Sequence, residues 1–337
     1  MAVAVTREFD RALGALTGVA LGDALGMPSQ TLPREAIIAA YGRIADFVDP
    51  VADHPVSHGL KAGMVTDDTE QTLILADLLL RSPGAFDDRA WADALLKWER
   101  DVRARGLRDL LGPSSKRALD ALLAGVPASE TGRAGTTNGA AMRIAPVGIA
   151  TPPDDPAALV ARVAEACRVT HSTREAISSA AAVAMVVSLG VSGASFDAAI
   201  AGALDAAKLG AALGAPVGEA DMAGRIMAAL RIAEGGSAED LAARIGTSVA
   251  SRESVPAAFG VVLLAKGDPW QAGLIAANIG DDTDTIGAIA CAMAGACSGL
   301  SAFPADKVER VVTLNHLSLR PLAEGLLALR AARGAAP

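Results

Sequence analysis

Three features of the 337-residue sequence predict an all-α fold. Apolar residues recur at helical spacing in almost every segment, as Leu13, Leu16 and Ala20 do in the first. Sustained alternation with a period of two, the pattern of a half-buried strand, is hard to find. Ala and Leu also outweigh the residues that favour strands. Because the linkers are short and marked by Gly and Pro, we expect one compact multi-helix domain over residues 1–337.

Caps and breakers divide the chain into roughly twelve to fifteen predicted helices. Pro113 and Ser114 are typical of a helix start, and Pro83 with Gly84 is typical of a helix end. In chain order the predicted helices cover residues 9–25, 69–80, 88–102, 114–123, 157–167, 174–189, 195–204, 220–234, 238–245, 256–264, 270–277, 283–297, 305–315 and 321–333.

Composition and charge narrow the class of protein. Hydrophobic residues make up 51% of the chain and charged residues 20%, so we expect a large core and no extended disorder. The net charge of −8 argues against nucleic acid or an anionic membrane as a partner. The apolar run 177–191 is short for a membrane span, and we interpret it as a buried helix. Three cysteines without metal-type spacing (Cys167, Cys291 and Cys297) and no visible signal peptide predict a reduced, cytoplasmic protein.

Two turns rich in aspartate and threonine interrupt the apolar helices. The first is Thr66-Asp67-Asp68-Thr69, and the second runs from Gly280 to Thr285 as Gly-Asp-Asp-Thr-Asp-Thr. Either turn alone is typical of a helix N-cap. A cap needs only one acidic residue, however, so the neighbouring acid is available for another role. Clustered carboxylates near a core cost several kcal/mol unless a cation or strong hydrogen bonds compensate. We therefore expect the two turns to meet and to share cations.

The potential ligand atoms in these turns are all oxygens, because neither turn contains His or Cys. Oxygen ligands favour hard cations, Mg²⁺ first with Mn²⁺ or Ca²⁺ as alternatives, and they disfavour Zn²⁺. Four or five carboxylates near one point suit two ions better than one. The alternative hypothesis is that such ions are structural and tie two helical hairpins together.

Three weaker polar clusters lie elsewhere in the chain. Gly22-Asp23-Ala24-Leu25-Gly26 ends the first helix, and an Asp among glycines is most often a cap or turn residue there. The small residues of Asn138-Gly139-Ala140 would let backbone N–H groups approach a phosphate or a sugar. Arg143, just after them, is expected to be a buried arginine paired with an acid. His171 lies between two helices, where a histidine is usually a cap or packing residue and substrate binding is the alternative.

In their order along the chain, these motifs resemble those of the ADP-ribosylglycohydrolase family, all-α dinuclear magnesium hydrolases that remove ADP-ribose from modified proteins. The resemblance extends from about residue 12 to residue 299. The paired TDDT and GDDTDT turns are its specific part, whereas the other motifs are weak when taken singly. The matching segments are GDALG at 22–26, TDDT at 66–69, NGAAMR at 138–143, Thr170-His171, and GDDTDT at 280–285.

The resemblance implies roles for individual residues. It implies two Mg²⁺ ions, with Mn²⁺ possible, that activate a water at the anomeric carbon of a ribose. The implied catalytic residues are Asp67, Asp68 and Asp282, one of which would orient or deprotonate this water. The implied metal ligands are Thr66, Asp67, Asp68, Asp282, Asp284 and Thr285. The implied substrate-binding residues are Gln30, Asn138, Gly139, Ala140, His171, Gly280 and Asp281, although Asp281 is more typical of a cap or a supporting residue.

Departures from the family pattern leave the substrate open. Gln30 stands where many members carry a Glu that assists catalysis, and an amide cannot accept a catalytic proton. Aromatic residues total only 3%, so a stacking platform for adenine is not obvious. The run Gly-Met-Pro-Ser at 26–29 is similar to a bacterial branch of the family regarded as acting on small metabolites.

Two functions from different classes follow. We expect a hydrolase that cleaves a ribosyl N- or O-glycosidic bond. Its substrate would be an ADP-ribosyl adduct, such as an ADP-ribosylated protein, or a smaller ribosylated metabolite such as a nucleoside. The alternative is a catalytically silent protein that senses ADP-ribose-like ligands, which the glutamine at position 30 favours.

Overall fold

A computed structural model describes residues 6–107 and 111–334 of the chain. Within these residues the backbone forms eighteen α-helices, one short 3-10 helix (Leu300–Ala302) and no β-strand, so the all-α prediction is confirmed. In chain order the helices are α1 (Arg7–Gly26), α2 (Arg34–Tyr41), α3 (Asp67–Arg81), α4 (Asp88–Ala104), α5 (Pro113–Leu123), α6 (Ala128–Thr131), α7 (Gly139–Met142), α8 (Ala145–Ala150), α9 (Pro156–Cys167), α10 (Arg174–Val191), α11 (Phe196–Leu213), α12 (Met222–Gly235), α13 (Ala238–Arg244), α14 (Ser251–Leu264), α15 (Pro269–Ala276), α16 (Thr283–Ser298), α17 (Ala305–Leu314) and α18 (Leu319–Gly334).

Every predicted helix is present, and the helices α2, α6, α7 and α8 are additional. Three of these are only four to six residues long, too short for a helical period to show in the sequence. α14 begins five residues before its predicted start, so Pro256 lies inside it. Proline cannot donate to the carbonyl of Arg252, and the guanidinium of Arg225 takes that acceptor instead. The proline is therefore accommodated without ending the helix.

A stripe of glycines lets α1 and α16 pack backbone against backbone. Gly18, Gly22 and Gly26 follow one another at one residue per turn of α1. A Cβ atom added to any of them would lie 2.1–2.4 Å from backbone atoms of α16, a separation that no real side chain tolerates. The stripe thus brings the last turn of α1, with Asp23, beside the first turn of α16, with Asp284.

The most apolar helix, α10, lies inside the fold. It is long and apolar enough to cross a membrane by length and composition, a test that a buried core helix also passes. Here 89% of it is buried, packed against α8, α9, α11 and α16. This packing accounts for its apolar character, as the sequence predicts. The cysteines Cys167, Cys291 and Cys297 are free and buried, which also agrees with prediction.

Isolated β-bridges tie loops to the ends of the helices. Leu32 pairs with Asp281, which joins the loop after α1 to the turn before α16. Thr137 pairs with Ala250, which joins the loop before α7 to the start of α14. Segments from four distant parts of the chain are therefore held at the end of the fold where α1 meets α16.

Candidate active site

Asp23, in the last turn of α1, anchors the first acidic turn. Its carboxylate accepts hydrogen bonds from the backbone N–H groups of Thr66 at 2.9 Å and Thr69 at 3.1 Å. It also accepts from the hydroxyls of these two threonines, at 2.7 and 2.5 Å respectively. Four hydrogen bonds therefore fix the backbone of the TDDT turn, and they set the direction in which Asp67 and Asp68 project.

Aspartates from three helices meet next to this anchor. Asp23 of α1, Asp68 of α3 and Asp284 of α16 each place a carboxylate oxygen within 4.8 Å of the others, and all three are buried. The hydroxyl of Thr285 donates to Asp68 Oδ2 at 3.4 Å, although the two residues are 217 positions apart in the sequence. The two acidic turns therefore meet, as expected from their composition.

Five acidic side chains gather in this cluster, and no basic group among the described residues forms an ion pair with them. Asp67 and Asp282 lie within electrostatic reach of the buried trio. No ion pair within residues 6–107 and 111–334 includes any of these five aspartates. In the same part of the chain, Asp68 Oδ1 is buried without a hydrogen-bond partner. Because an orphaned buried carboxylate oxygen is costly, the residues present fit a bound cation.

Burial raises the pKa of every aspartate in the cluster. For Asp23 and Asp282, burial raises the pKa to about 6. The rise is limited because hydrogen bonds from neighbouring side chains favour the ionised form. For Asp67, Asp68 and Asp284 the pKa rises well above its ordinary value, because burial and the like charges of neighbouring aspartates act together. Full ionisation of the cluster at neutral pH therefore requires a compensating positive charge.

Asn138 joins the NGAAMR segment to the second acidic turn. Its side-chain amide donates hydrogen bonds to the carboxylate of Asp282 and to Ser254 Oγ, the latter at 2.8 Å. Its backbone N–H donates to the carbonyl of Val249 at 3.0 Å. Asn138 thus holds one face of Asp282 in place, at the point where the loop before α7 meets α14.

A cavity of about 210 Å³ opens over the aspartates. Asp67, Asp282 and Asp284 contribute its acidic side, while aliphatic and other apolar side chains form much of the wall. None of the described residues that line it is aromatic. The lining residues are Gln30, Thr31, Val56, Asp67, Leu111, Gly112, Pro113, Ser115, Thr137, Asn138, Gly139, Met142, Val249, Asp282, Asp284 and Thr285.

Nearly the whole chain matches the model of one known protein family. The family model described as ADP-ribosylglycohydrolase matches residues 4–336. The chain belongs to the ADP-ribosylglycohydrolase family. The resemblance inferred from the ordered motifs is therefore confirmed.

Similar proteins align with this chain over most of its length. The uncharacterized protein YegU of Escherichia coli is 36% identical over 332 residues, which cover 97% of this chain and 99% of YegU. The ADP-ribosylarginine hydrolase Tri1 of Pseudomonas putida is 29% identical over 315 residues, covering 92% of this chain and 76% of Tri1. A solved structure described as an ADP-ribosylglycohydrolase-related protein complex has a TM-score of 0.67 and 28% identity, and the match covers 96% of this chain and 99% of that one. These similarities support an enzyme of the hydrolase kind.

Seven of the thirteen predicted site residues line the cavity. Thr66 and Asp68 do not, but they are buried next to the lining aspartates, within the cluster described above. Ala140 lies in the hydrophobic core rather than at the cavity. His171, Gly280 and Asp281 also lie outside the lining: His171 contacts the lining residue Thr137, and Gly280 and Asp281 directly precede the lining residue Asp282.

Gly280 and Asp281 form a left-handed turn, with φ of 103° and 57°. The carboxylate of Asp281 is exposed and accepts a hydrogen bond from Thr247 Oγ1 at 2.8 Å. Its backbone N–H donates to the carbonyl of Leu32 at 2.8 Å, and its carbonyl accepts from Thr31. Asp281 therefore supports the loop that carries Gln30, in keeping with the supporting role that the sequence favours for it.

His171 lies behind the cavity wall and is fully buried. Its two ring nitrogens contact Thr137 Oγ1 at 3.0 Å and Thr170 Oγ1 at 2.8 Å. A Cβ atom on Gly139 would lie 2.9 Å from the ring, so the ring requires a glycine at this position of the wall. Burial, together with the positive charge of Arg143, lowers the pKa of His171 well below its usual value, so the ring is neutral.

Arg143 is buried as expected, but the expected pairing with an acid is wrong within the described residues. Its guanidinium donates to Gln71 Oε1 and to Thr170 Oγ1, the latter at 2.7 Å, and lies 5.4 Å from the ring centroid of Trp91. Burial lowers its pKa to about 10, still well above neutral, and the charges of the TDDT aspartates favour its protonated form. The arginine therefore supplies positive charge to the acidic cluster through space.

The sequence predicts only a cap or turn role for Asp23 and no role for Ser115, yet Asp23 belongs to the acidic cluster and Ser115 lines the cavity. A lone Asp between glycines is typical of a cap, and only the i, i+4 spacing of Gly22 and Gly26 hints that this face of α1 meets another backbone. Ser115 lies in the first turn of α5, lines the cavity and is only 3% exposed. No local signal distinguishes it from an ordinary residue of a helix start.

Proposed function

We propose that this protein is a divalent-cation-dependent hydrolase that cleaves a ribosyl N- or O-glycosidic bond, with an ADP-ribosyl adduct as its substrate. Membership of the ADP-ribosylglycohydrolase family supports hydrolysis of this class of bond. The observation that carries the proposal is the group of aspartates beside the cavity, in which Asp68 Oδ1 is buried without a partner. An oxygen in this situation favours a cation, and the adjoining cavity leaves room for a sugar.

The charge of the site favours two divalent cations. Arg143 is the cationic group whose charge acts on Asp67 and Asp68. Five ionised aspartates and this one arginine leave four negative charges, which two divalent cations would neutralise. Oxygen-only ligands suit Mg²⁺ or Mn²⁺, and such ions, when bound, polarise substrate oxygens and acidify water. The residues that would hold them are Thr66, Asp67, Asp68, Asp282, Asp284 and Thr285, with Asp23 directly behind the TDDT turn.

Among the three predicted catalytic aspartates, Asp67 is best placed to accept a proton. It lines the cavity and is half-buried, whereas Asp68 does not line the cavity and is only 1% exposed. The hydrogen bond from Asn138 favours the ionised form of Asp282 and fixes its orientation. In this proposal Asp67 takes the proton of the attacking water, and Asn138 keeps Asp282 ionised beside the sugar.

The dimensions of the cavity favour a ribosyl unit, with the rest of the ligand on its open rim. Its volume of about 210 Å³ lies below the ~300–1,000 Å³ that is typical of sites enclosing a whole drug-sized ligand. The eleven-residue helix α5 begins at this rim, where its first-turn N–H groups favour an anion. The hydroxyl-bearing Ser115 lies in the same turn and lines the cavity. These features support a phosphate-bearing ligand over a bare nucleoside.

Paired assays test the proposal. We would measure release of ADP-ribose from arginine-ADP-ribosylated protein, and of ribose from a panel of nucleosides, with Mg²⁺, with Mn²⁺ and with a chelator. We expect ADP-ribose release that requires the added cation and is lost in Asp284→Asn. If only the nucleosides are cleaved, the substrate is the smaller ribosylated compound and not an ADP-ribosyl adduct. If the protein cleaves neither kind of substrate although calorimetry shows that it binds the cation, the proposal that it is a hydrolase is refuted.

A sensor of ADP-ribose-like ligands is the second function, and Gln30 favours it. This residue lines the cavity, and its amide cannot take up a proton during catalysis. A sensor should bind ADP-ribose tightly in calorimetry while cleaving no glycoside. In that case Gln30→Glu should create hydrolysis where the natural protein has none, whereas a hydrolase that relies on Asp67 should be active with Gln30 in place.

A further inference from the structure

A chain of hydrogen bonds determines which atom of the Gln30 side chain faces the cavity. Gln30 Nε2 donates to Ser57 Oγ at 3.0 Å, and Ser57 Oγ donates to the carbonyl of Met27 at 2.7 Å. A serine hydroxyl has a single proton, and the carbonyl of Met27 can only accept. Ser57 must therefore act as an acceptor towards Gln30. If the carboxamide were flipped, Gln30 Oε1 and the carbonyl oxygen of Met27 would both need the single hydroxyl proton of Ser57.

The opposite end of the carboxamide is available to a ligand. Gln30 Oε1 accepts no hydrogen bond from the described residues, and it is not an enclosed atom. Gln30 itself lines the cavity together with Asp67 and Asp282. The group that Gln30 presents to a bound sugar is thus an acceptor without a protein partner in the described part of the chain.

His54 holds Ser57 in the position that this orientation requires. Its Nδ1 accepts hydrogen bonds from the backbone N–H groups of Ser57 at 2.7 Å and Val56 at 3.1 Å. The ring is only 2% exposed, and burial lowers its pKa, so it is neutral with the proton on its other nitrogen. Ser57 is fully buried as well. Neither residue lines the cavity, so each affects a ligand only through a neighbour that does, which is Gln30 or Val56.

We propose that Ser57 is a positioning residue that turns the carboxamide oxygen of Gln30 towards the ligand, so that the site selects a sugar with a hydroxyl donor at that point. This inference rests on the proposed function for the identity of the ligand as a ribosyl group. The orientation of the amide does not depend on it. A ligand whose hydroxyl is replaced by hydrogen leaves Oε1 without a donor and binds more weakly.

The first measurement needs no ligand. In ¹⁵N-labelled protein the side-chain NH₂ signal of Gln30, assigned by its loss in Gln30→Leu, should be protected from solvent exchange. It should lose that protection in Ser57→Ala and keep it in Ser298→Ala. Ser298 is exposed, unlike Ser57, but it controls for loss of a serine hydroxyl that donates to a backbone carbonyl, here at 3.1 Å, away from the cavity. Equal exchange in the natural protein and Ser57→Ala would overturn the positioning role.

The second measurement uses ADP-ribose and its analogues in which one ribose hydroxyl at a time is replaced by hydrogen. In the presence of Mg²⁺ we expect the natural protein to prefer ADP-ribose over one analogue by about tenfold, the effect of one hydrogen bond. Ser57→Ala should reduce this preference to less than about threefold and have no further effect in a Gln30→Leu background. Unfolding temperatures close to that of the natural protein would show that the variants are folded.

The outcomes separate this inference from the proposed function. An unchanged preference in Ser57→Ala, or an equal loss of affinity for every analogue, would overturn the selective role of Gln30 Oε1. Failure of the natural protein to bind or cleave any ribosyl compound would overturn the proposed function and the ligand half of the inference. The exchange measurement would still decide the orientation of the amide.

Discussion

The acidic side of the cavity and the wall at Gln30 are built in different ways. The acidic side consists of charged residues at the ends of long helices, and the glycine stripe between α1 and α16 fixes their separation. The wall at Gln30 consists of neutral residues on loops, held by hydrogen bonds between side chains such as Gln30 and Ser57. The acidic cluster includes an orphaned carboxylate oxygen, whereas Gln30 and Ser57 are joined by neutral hydrogen bonds.

We infer from this difference that the acidic side serves the reaction and that the wall at Gln30 serves the choice of substrate. A site on packed helices keeps its geometry, which charge clusters and metal ligands require. Loops with neutral hydrogen bonds tolerate substitution more readily, so they suit the choice of ligand. Changes to the acidic side should therefore alter stability, cation binding and activity together, and changes to the wall should alter preference among ligands.

The largest effect is expected from breaking the support of the acidic side. In Gly18→Leu the new side chain would meet backbone atoms of α16, its Cβ within 2.2 Å of the nearest, and a helix backbone cannot yield as a side chain can. We expect the free energy of unfolding to fall by at least about 3 kcal/mol, as for severe overpacking, or the protein not to fold. Urea unfolding measures this. Gly84→Ala is the control, because no heavy atom lies within 4 Å of its added Cβ, and a change below about 0.5 kcal/mol is expected.

Asp284→Asn tests whether the acidic side is catalytic or only structural. We expect activity to fall by more than about a hundredfold, since loss of even the outer partners of a metal ligand costs that much. The cation-free variant should unfold at a higher temperature than the cation-free natural protein, because one of several repelling carboxylates is gone. Asp154→Asn, an exposed aspartate that does not line the cavity, should change neither property appreciably. Structural ions alone would be indicated if Asp284→Asn lowered the unfolding temperature with Mg²⁺ present but left ligand affinity intact.

The pH dependence of the cation-free protein is expected to have the opposite sign to that of ordinary acid denaturation. Folding raises the pKa of Asp23 and Asp282 from 3.8 to about 6, so the folded state binds more protons than the unfolded state between these values. The contribution of these groups to stability therefore increases as pH falls from about 6 to about 4. Thermal unfolding in a chelator measures this trend.

Saturating Mg²⁺ should reverse that trend, because cations bind the deprotonated carboxylates and protons displace them at low pH. A cation-free protein that lost stability steadily from neutral pH downwards would contradict the raised pKa values. Asp68→Asn should show a shallower pH dependence than the natural protein, since it removes one of the groups whose pKa is raised.

The smallest effect on this side is expected from Asn138→Ala, which removes a hydrogen bond to Asp282 without removing a carboxylate. Without this donor the pKa of Asp282 rises further, so its ionised form is less available. We expect the Mg²⁺ concentration for half-maximal activity to rise about tenfold, with little change in unfolding temperature. Ser254→Ala removes only the second acceptor of Asn138. It should change this Mg²⁺ concentration less than threefold, about the effect of a weak hydrogen bond.

Much of the fold and part of the candidate site follow from local patterns. Amphipathic periods and caps predict the long helices, and the density of acids in the TDDT and GDDTDT turns predicts that they meet at a cation site. The short helices α6, α7 and α8 have no such period. The partner of Arg143 is also missed, because burial makes an acid the usual expectation while the fold supplies Gln71, Thr170 and the face of Trp91.

By itself the sequence determined the helical class, the family and the oxygen-rich chemistry of the acidic turns, because each depends on residues close together in the chain. Only the tertiary structure decided that Asp23 anchors the TDDT turn, that His171 lies behind Gly139, and that Ser57 orients Gln30. These relationships join segments brought together by the packing of helices, and a side chain's role there depends on which atoms it meets in space. The glycine spacing on α1 thereby determines how closely Asp23 of α1 approaches Asp284 of α16.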